Sequence, residues 1–309
     1  MKKYNINDFA NACLSGGYSQ IIAYLENIED GHELLGKYRD VFEKGTYFIE
    51  TEDETIRDFL RCYEDCLKWA LTNNMSTDEY KEYVLEKFRP FFPDASNWAD
   101  IQDAVEAYFR DKGYFTSFGI TSPYPTLYLW VKENTRKELV ELPEGTVEID
   151  VCEMDEVITQ GWEDYLSRGV TSAGGWVTST GTNYFKRSWS IDSDNFKIGL
   201  LKHEAQHFFD LQKYPEMDSA DLEYRAKLVE LIYYKDLGRF FTFLATRSDE
   251  NDNSNPHAYA EGKIVRELSR RIFGRDSEES RDLWEAESEK IAAISLELLK
   301  EDSLKLSQI

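Results

Sequence analysis

The stretch that decides the reading of this chain is Leu200-Leu201-Lys202-His203-Glu204-Ala205-Gln206-His207-Phe208-Phe209-Asp210. His203 and His207 are four residues apart with Glu204 between them, the pattern HExxH. On an α-helix that spacing stacks both imidazoles on one face, where two ring nitrogens can close on a single Zn²⁺. Glu204 follows His203 by one residue, about 100° of helix rotation, which leaves its carboxylate free to serve an attacking water as general base. Working outward, Ser193 and Asp194 offer an N-cap, and helical periodicity runs over 195–213 until Tyr214-Pro215 stops it. Phe196, Leu200, His203, His207 and Leu211 fall on one stripe, so both histidines extend an apolar face. Lys197, Lys202, Gln206 and Lys213 are left for the wetter side.

A second helix is expected over 220–236, capped by Asp218 or Ser219. With it the segment resembles the active-site region of zincin metallopeptidases, and of the gluzincin branch in particular, in which a Glu on a following helix completes the metal site. By that resemblance Glu223 is the third ligand. It stands sixteen residues after His207, and the small Ala226 on the same face lets the helices approach, an ExxA variant of the pattern. Glu230, one heptad on, is the alternative. An ordinary ion pair between Glu223 and Lys227 at i+4 is the bland reading of the same residues. Some gluzincins place an acid four residues after the third ligand to hold a zinc histidine. This chain has Lys227 there, so the second shell falls to another group, with Asp210 and Asp221 as candidates.

Composition narrows the field. The 309 residues carry 36 Lys and Arg against 59 Asp and Glu, a formal charge of −23, and are 41% hydrophobic and 14% aromatic. Such a surface repels phosphate backbones and anionic membranes and favours basic or neutral peptides. Four cysteines, at 13, 62, 66 and 152, are too few for a disulfide framework in a chain of this size. The first residues lack the apolar core of a signal peptide and no run reaches transmembrane length, so a soluble, cytoplasmic protein is expected.

From the start to about 115 the apolar spacing is helical, with helices expected over 18–28, 34–44, 52–71, 77–88 and 97–112. His32-Glu33 resembles half of a second metal motif, but position 36 is Gly. Beyond the break at Ser122-Pro123-Tyr124-Pro125, strands are expected at 127–132, 138–142 and 146–151, and a return to helix over 155–167. Residues 169–191 mix glycines with β-formers. By the zincin resemblance, 175–179 or 184–189 is an edge strand that pairs with an extended substrate; a plain hairpin closing the sheet is the other reading. Downstream, 240–245 is apolar. The polar loop 248–256 leads to His257 and Tyr259, the candidates for steadying the oxyanion of amide hydrolysis, with His257 also an alternative third ligand. A final helix is expected over 276–305.

The expected fold is therefore α+β and mainly helical, with an N-terminal helical region over 1–115 and a zincin-like metallopeptidase domain over 116–309. The implied activity is zinc-dependent hydrolysis of a peptide or protein substrate, with His203, His207 and Glu223 holding Zn²⁺, Glu204 as general base, and Tyr259 or His257 at the oxyanion. The rivals are a catalytically silent zincin-fold binding protein and an HExxH hydrolase of a non-peptide substrate.

Overall fold

A computed structural model describes residues 2–14, 17–73, 75–121, 123–178, 180–247 and 255–307. The chain divides into two units, Met1–Glu133 with Met154–Gly174, and Asn134–Glu153 with Gly175–Ile309. It is mainly helical with one five-stranded sheet of order β1-β2-β3-β5-β4, in keeping with the expected α+β class. No helix among the described residues is long and apolar enough to cross a membrane.

The first unit contains α1 (Ile6–Leu14), α2 (Tyr18–Glu26), α3 (His32–Lys44), α4 (Glu54–Asn73), α5 (Thr77–Phe88) and α6 (Trp98–Arg110). They form where the sequence spacing predicts, and α1 is an addition. In α4, Ile56, Phe59, Leu60, Tyr63, Leu67 and Ala70 recur at helical intervals and all are buried. Helix starts are chemically marked: Ser76 and Glu79 form a reciprocal capping box on α5, and Asn97 accepts from the Asp100 amide on α6. β1 (Phe115–Thr121) pairs antiparallel with the start of β2 (Tyr124–Leu142), Phe118 opposite Leu127. The last part of β3 (Gly145–Gln160) and α7 (Gly161–Ser167) complete this unit.

Three expectations change here. The strands read at 127–132 and 138–142 are one long strand, because the polar run Glu133 to Lys137 is solvated without breaking the ladder. Helix begins only at Gly161, so 155–160 is strand and the helical reading of 155–167 holds for its last seven residues. The division falls within β2 and β3 rather than at a single cut near 115.

The second unit holds the remainder of β2 and β3, then β4 (Gly175–Val177) and β5 (Gly181–Phe185). β5 lies inside the sheet, so the outer strand is β4 and the segment 184–189 is not an edge. Of the segment read as 175–179, Ser179 lies outside the described residues. Gly181 is required where it stands: a Cβ there would collide with the Asp150 backbone. Helices follow: a π-helical stretch Asn195–Lys202, α8 (His203–Lys213), α9 (Ser219–Tyr233), α10 (Gly238–Thr246), α11 (Pro256–Phe273), α12 (Arg281–Ala286) and α13 (Ser288–Leu306). The last two replace the single helix expected over 276–305, broken at Glu287. The core here includes Ile149, Phe196, Leu228, Ile264 and the fully enclosed Trp284.

The first two turns of the HExxH helix are thus π-wound rather than α. The Ser193 hydroxyl accepts from the Phe196 amide 3.1 Å away, as an N-cap should. Gly199 faces Tyr234, whose hydroxyl would stand 2.8 Å from any Cβ placed there and instead donates to Asn195 at 2.9 Å. A side chain at 199 would displace the Tyr234 hydroxyl.

Candidate metal centre

α8 and α9 pack side by side, joined by a short turn in which Asp218 caps α9 by accepting from the Asp221 amide. That packing carries Glu223 over the two histidines. His203, His207 and Glu223 are all buried, and one ligand atom from each lies within 4.8 Å of the others. The two Nε2 atoms are 3.0 Å apart; Glu223 Oε1 is 3.3 Å from His207 Nε2 and Oε2 is 3.5 Å from His203 Nε2. Donors bound at zinc's usual distances in a tetrahedral array stand about 3.3 Å from one another. Measured to a different Glu223 oxygen for each ring, the three separations bracket that value, and two imidazoles with one carboxylate are a hard-to-borderline donor set that suits Zn²⁺. The residues present therefore fit the ion.

The electrostatics point the same way. Burial works against a charged His203, yet Glu223 and Glu230 outweigh it and lift the ring to about 10. Burial likewise opposes ionisation of Glu223, but His203, His207 and His257 hold it well below the usual carboxylate range. A buried carboxylate gathered by three imidazoles is a place prepared for positive charge.

Glu230 is the group the sequence did not assign correctly. It is not a ligand: its Oε1 lies 2.6 Å from His203 Nδ1, on the side of the ring away from Glu223. It is the acid that holds a histidine of the group, the place expected for Asp210 or Asp221. Asp210 is engaged instead by Gln206 and Arg225, each at 2.9 Å, and Asp221 by Lys263 at 3.2 Å. The signal was available in principle, since Glu223 and Glu230 are two helical turns apart on one face. His207 has no such support, and its Nδ1 is buried without a hydrogen-bond partner among the described residues. The surface ion pair between Glu223 and Lys227 does not form, because Lys227 is buried and donates to Glu261 at 2.8 Å. Gln206, expected on the wet side, is enclosed.

Glu204 lies on the same helix, half-buried, and its carboxylate makes no hydrogen bond or ion pair among the described residues. His257, at the start of α11 behind the Asn255 cap, comes to the site: its Nδ1 is 2.8 Å from Glu223 Oε2 while 64% of its side chain is exposed. It is not one of the three residues of the His203–His207–Glu223 group. Tyr259 is half-buried and makes no side-chain hydrogen bond among the described residues. The loop leading to them, 248–254, lies outside the described residues. Compared with family models, with curated proteins and with solved structures, the chain has no match.

Proposed function

We propose that the chain is a zinc-dependent metallopeptidase of the gluzincin type, its second unit the zincin-like domain, acting on peptide or protein substrates in the cytoplasm. The observation that carries this reading is the convergence of His203, His207 and Glu223 on one buried point, beside a carboxylate on the same helix that nothing else engages among the described residues. Zinc held by those three residues would supply a Lewis acid for the scissile carbonyl and lower the pKa of water at its open position. Glu204 then takes the proton of the attacking water and returns it to the leaving amine. Glu230 keeps the His203 ring aligned. His257, whose Nδ1 lies 2.8 Å from Glu223 Oε2, and the Tyr259 phenol are the candidates for steadying the developing oxyanion.

Glu204, without a partner among the described residues, is available as a base, which favours a hydrolase over a silent binding protein. The charge of −23 favours basic or neutral peptides over phosphate-bearing substrates, and over nucleic acid or anionic membranes as partners. The deciding experiment is Glu204→Gln beside the wild type. Elemental analysis should find one zinc per chain in both. Hydrolysis of a mixed peptide library should fall by about 10²–10⁴-fold in the variant. Undiminished turnover would refute the general base, and a wild type without zinc would refute the metal centre.

A further inference from the structure

We propose that Arg239 is a positioning residue of the metal centre, acting through Glu230 on His203; the inference rests on the zinc reading above. Arg239 stands in the first turn of α10. Its Nη2 donates to Glu230 Oε1 at 3.0 Å and its Nε donates to Glu230 Oε2, so the planar fork occupies both carboxylate oxygens. Glu230 has no exposed surface, and the same Oε1 lies 2.6 Å from His203 Nδ1. The guanidinium is itself steadied over the Phe243 ring, 5.1 Å from its centroid and one turn along α10.

The consequence for the ligand is geometric. A carboxylate held by both oxygens cannot rotate about its terminal bond, and one fixed acceptor at Nδ1 turns the Nε2 lone pair of His203 towards Glu223 and His207. Remove Arg239, and Glu230 becomes a buried carboxylate with a single imidazole for company, free to turn away from it. The arrangement is one-sided, because His207 has no partner at Nδ1 among the described residues. Orientation of the whole site is thus concentrated on one imidazole, and the handle on that imidazole sits on a helix that contributes no ligand.

The test is a zinc affinity measurement by competition with a chromophoric chelator on the full chain, for the wild type, Arg239→Gln, Arg239→Lys, Glu230→Gln and the Arg239→Gln/Glu230→Gln double variant. Arg239→Gln should weaken zinc binding about 10–100-fold. Arg239→Lys should fall between it and the wild type, since lysine keeps the charge and loses the fork. The double variant should bind zinc no more weakly than Glu230→Gln alone, the mark of two residues acting in series. Unfolding of the metal-free proteins is followed in parallel: a merely structural Arg239 would lower the melting temperature and leave the zinc Kd unmoved. An unchanged Kd in Arg239→Gln overturns the proposal by itself, as does full additivity in the double variant. A wild type that binds no zinc overturns the metal centre and this inference together.

Discussion

Arg225 Nε donates to Asp210 Oδ2 across 2.9 Å with neither side chain reached by solvent, which ties α9 to α8 one turn from the histidines. The same guanidinium donates to Glu144 at the β2–β3 turn over 2.6 Å and to Asp302 near the end of α13 over 3.0 Å. Arg225 is two residues from Glu223, so this buried junction fixes how the helix bearing Glu223 lies on the helix bearing His203 and His207. Arg225→Ala would leave three carboxylates around an empty centre. We expect a loss of about 3–5 kcal/mol of stability in urea unfolding, the usual result of breaking a buried ion pair from one side. Weaker zinc binding should accompany it.

Zinc loading should release protons. In the metal-free site His203 is lifted to about 10, so at neutral pH its ring is charged, and a ligand must surrender its Nε2 proton to bind. Affinity should therefore tighten as pH rises from 7 towards 10. Calorimetric titrations in buffers of different ionisation heat would expose the proton count. Glu223→Ala should abolish binding of the first equivalent; a variant that still takes up zinc at wild-type affinity would remove Glu223 from the ligand set.

His257 and Tyr259 can be separated by turnover. His257 is largely exposed and touches Glu223 through one nitrogen, so His257→Ala should retain its fold. If its second nitrogen serves the oxyanion, kcat falls about 10²–10³-fold with zinc content intact. Tyr259→Phe should then change kcat by only a few-fold. The reverse pattern would transfer the role to the phenol.

The first unit offers a pH prediction remote from the metal. Burial pushes the Cys13 thiol up to about 12, with the Tyr38 hydroxyl pulling slightly the other way. An unfolded thiol ionises near about 8.5. A group that holds its proton more tightly when folded favours the fold below the unfolded value, and that contribution is lost as pH climbs from there through about 12. Cys13 should resist iodoacetamide at pH 9 in the native protein and react once the chain is unfolded in urea. Replacing it by Ala should flatten the alkaline limb of the stability curve.

What could be read in advance follows from how local each signal is. The HExxH spacing, the stop at Tyr214-Pro215 and the cap at Asp218 are short-range chemistry, and the structure keeps all of them. Glu223 lies across one tight turn, where the resemblance to gluzincins pointed. Arg225 was out of reach because its role depends on partners far along the chain, Glu144 and Asp302, from elements read only as a turn and a helix end. The long strands were undercounted for a different reason: a polar stretch such as Glu133 to Lys137 looks like a loop when one cannot see that its neighbours continue the ladder. Gln206 was misplaced because helical periodicity ranks it by polarity, whereas a charged interior made room for it.

The π-wound run from Asn195 to Lys202 has a consequence for how this chain tolerates change in length. A coil that bonds to the fifth residue rather than the fourth carries surplus backbone for the rise it covers. Losing a single residue there would let the run tighten into ordinary winding, with the slack taken up before the imidazoles are reached. The same deletion one turn later would swing them out of alignment. The segment acts as an expansion joint ahead of the chemistry.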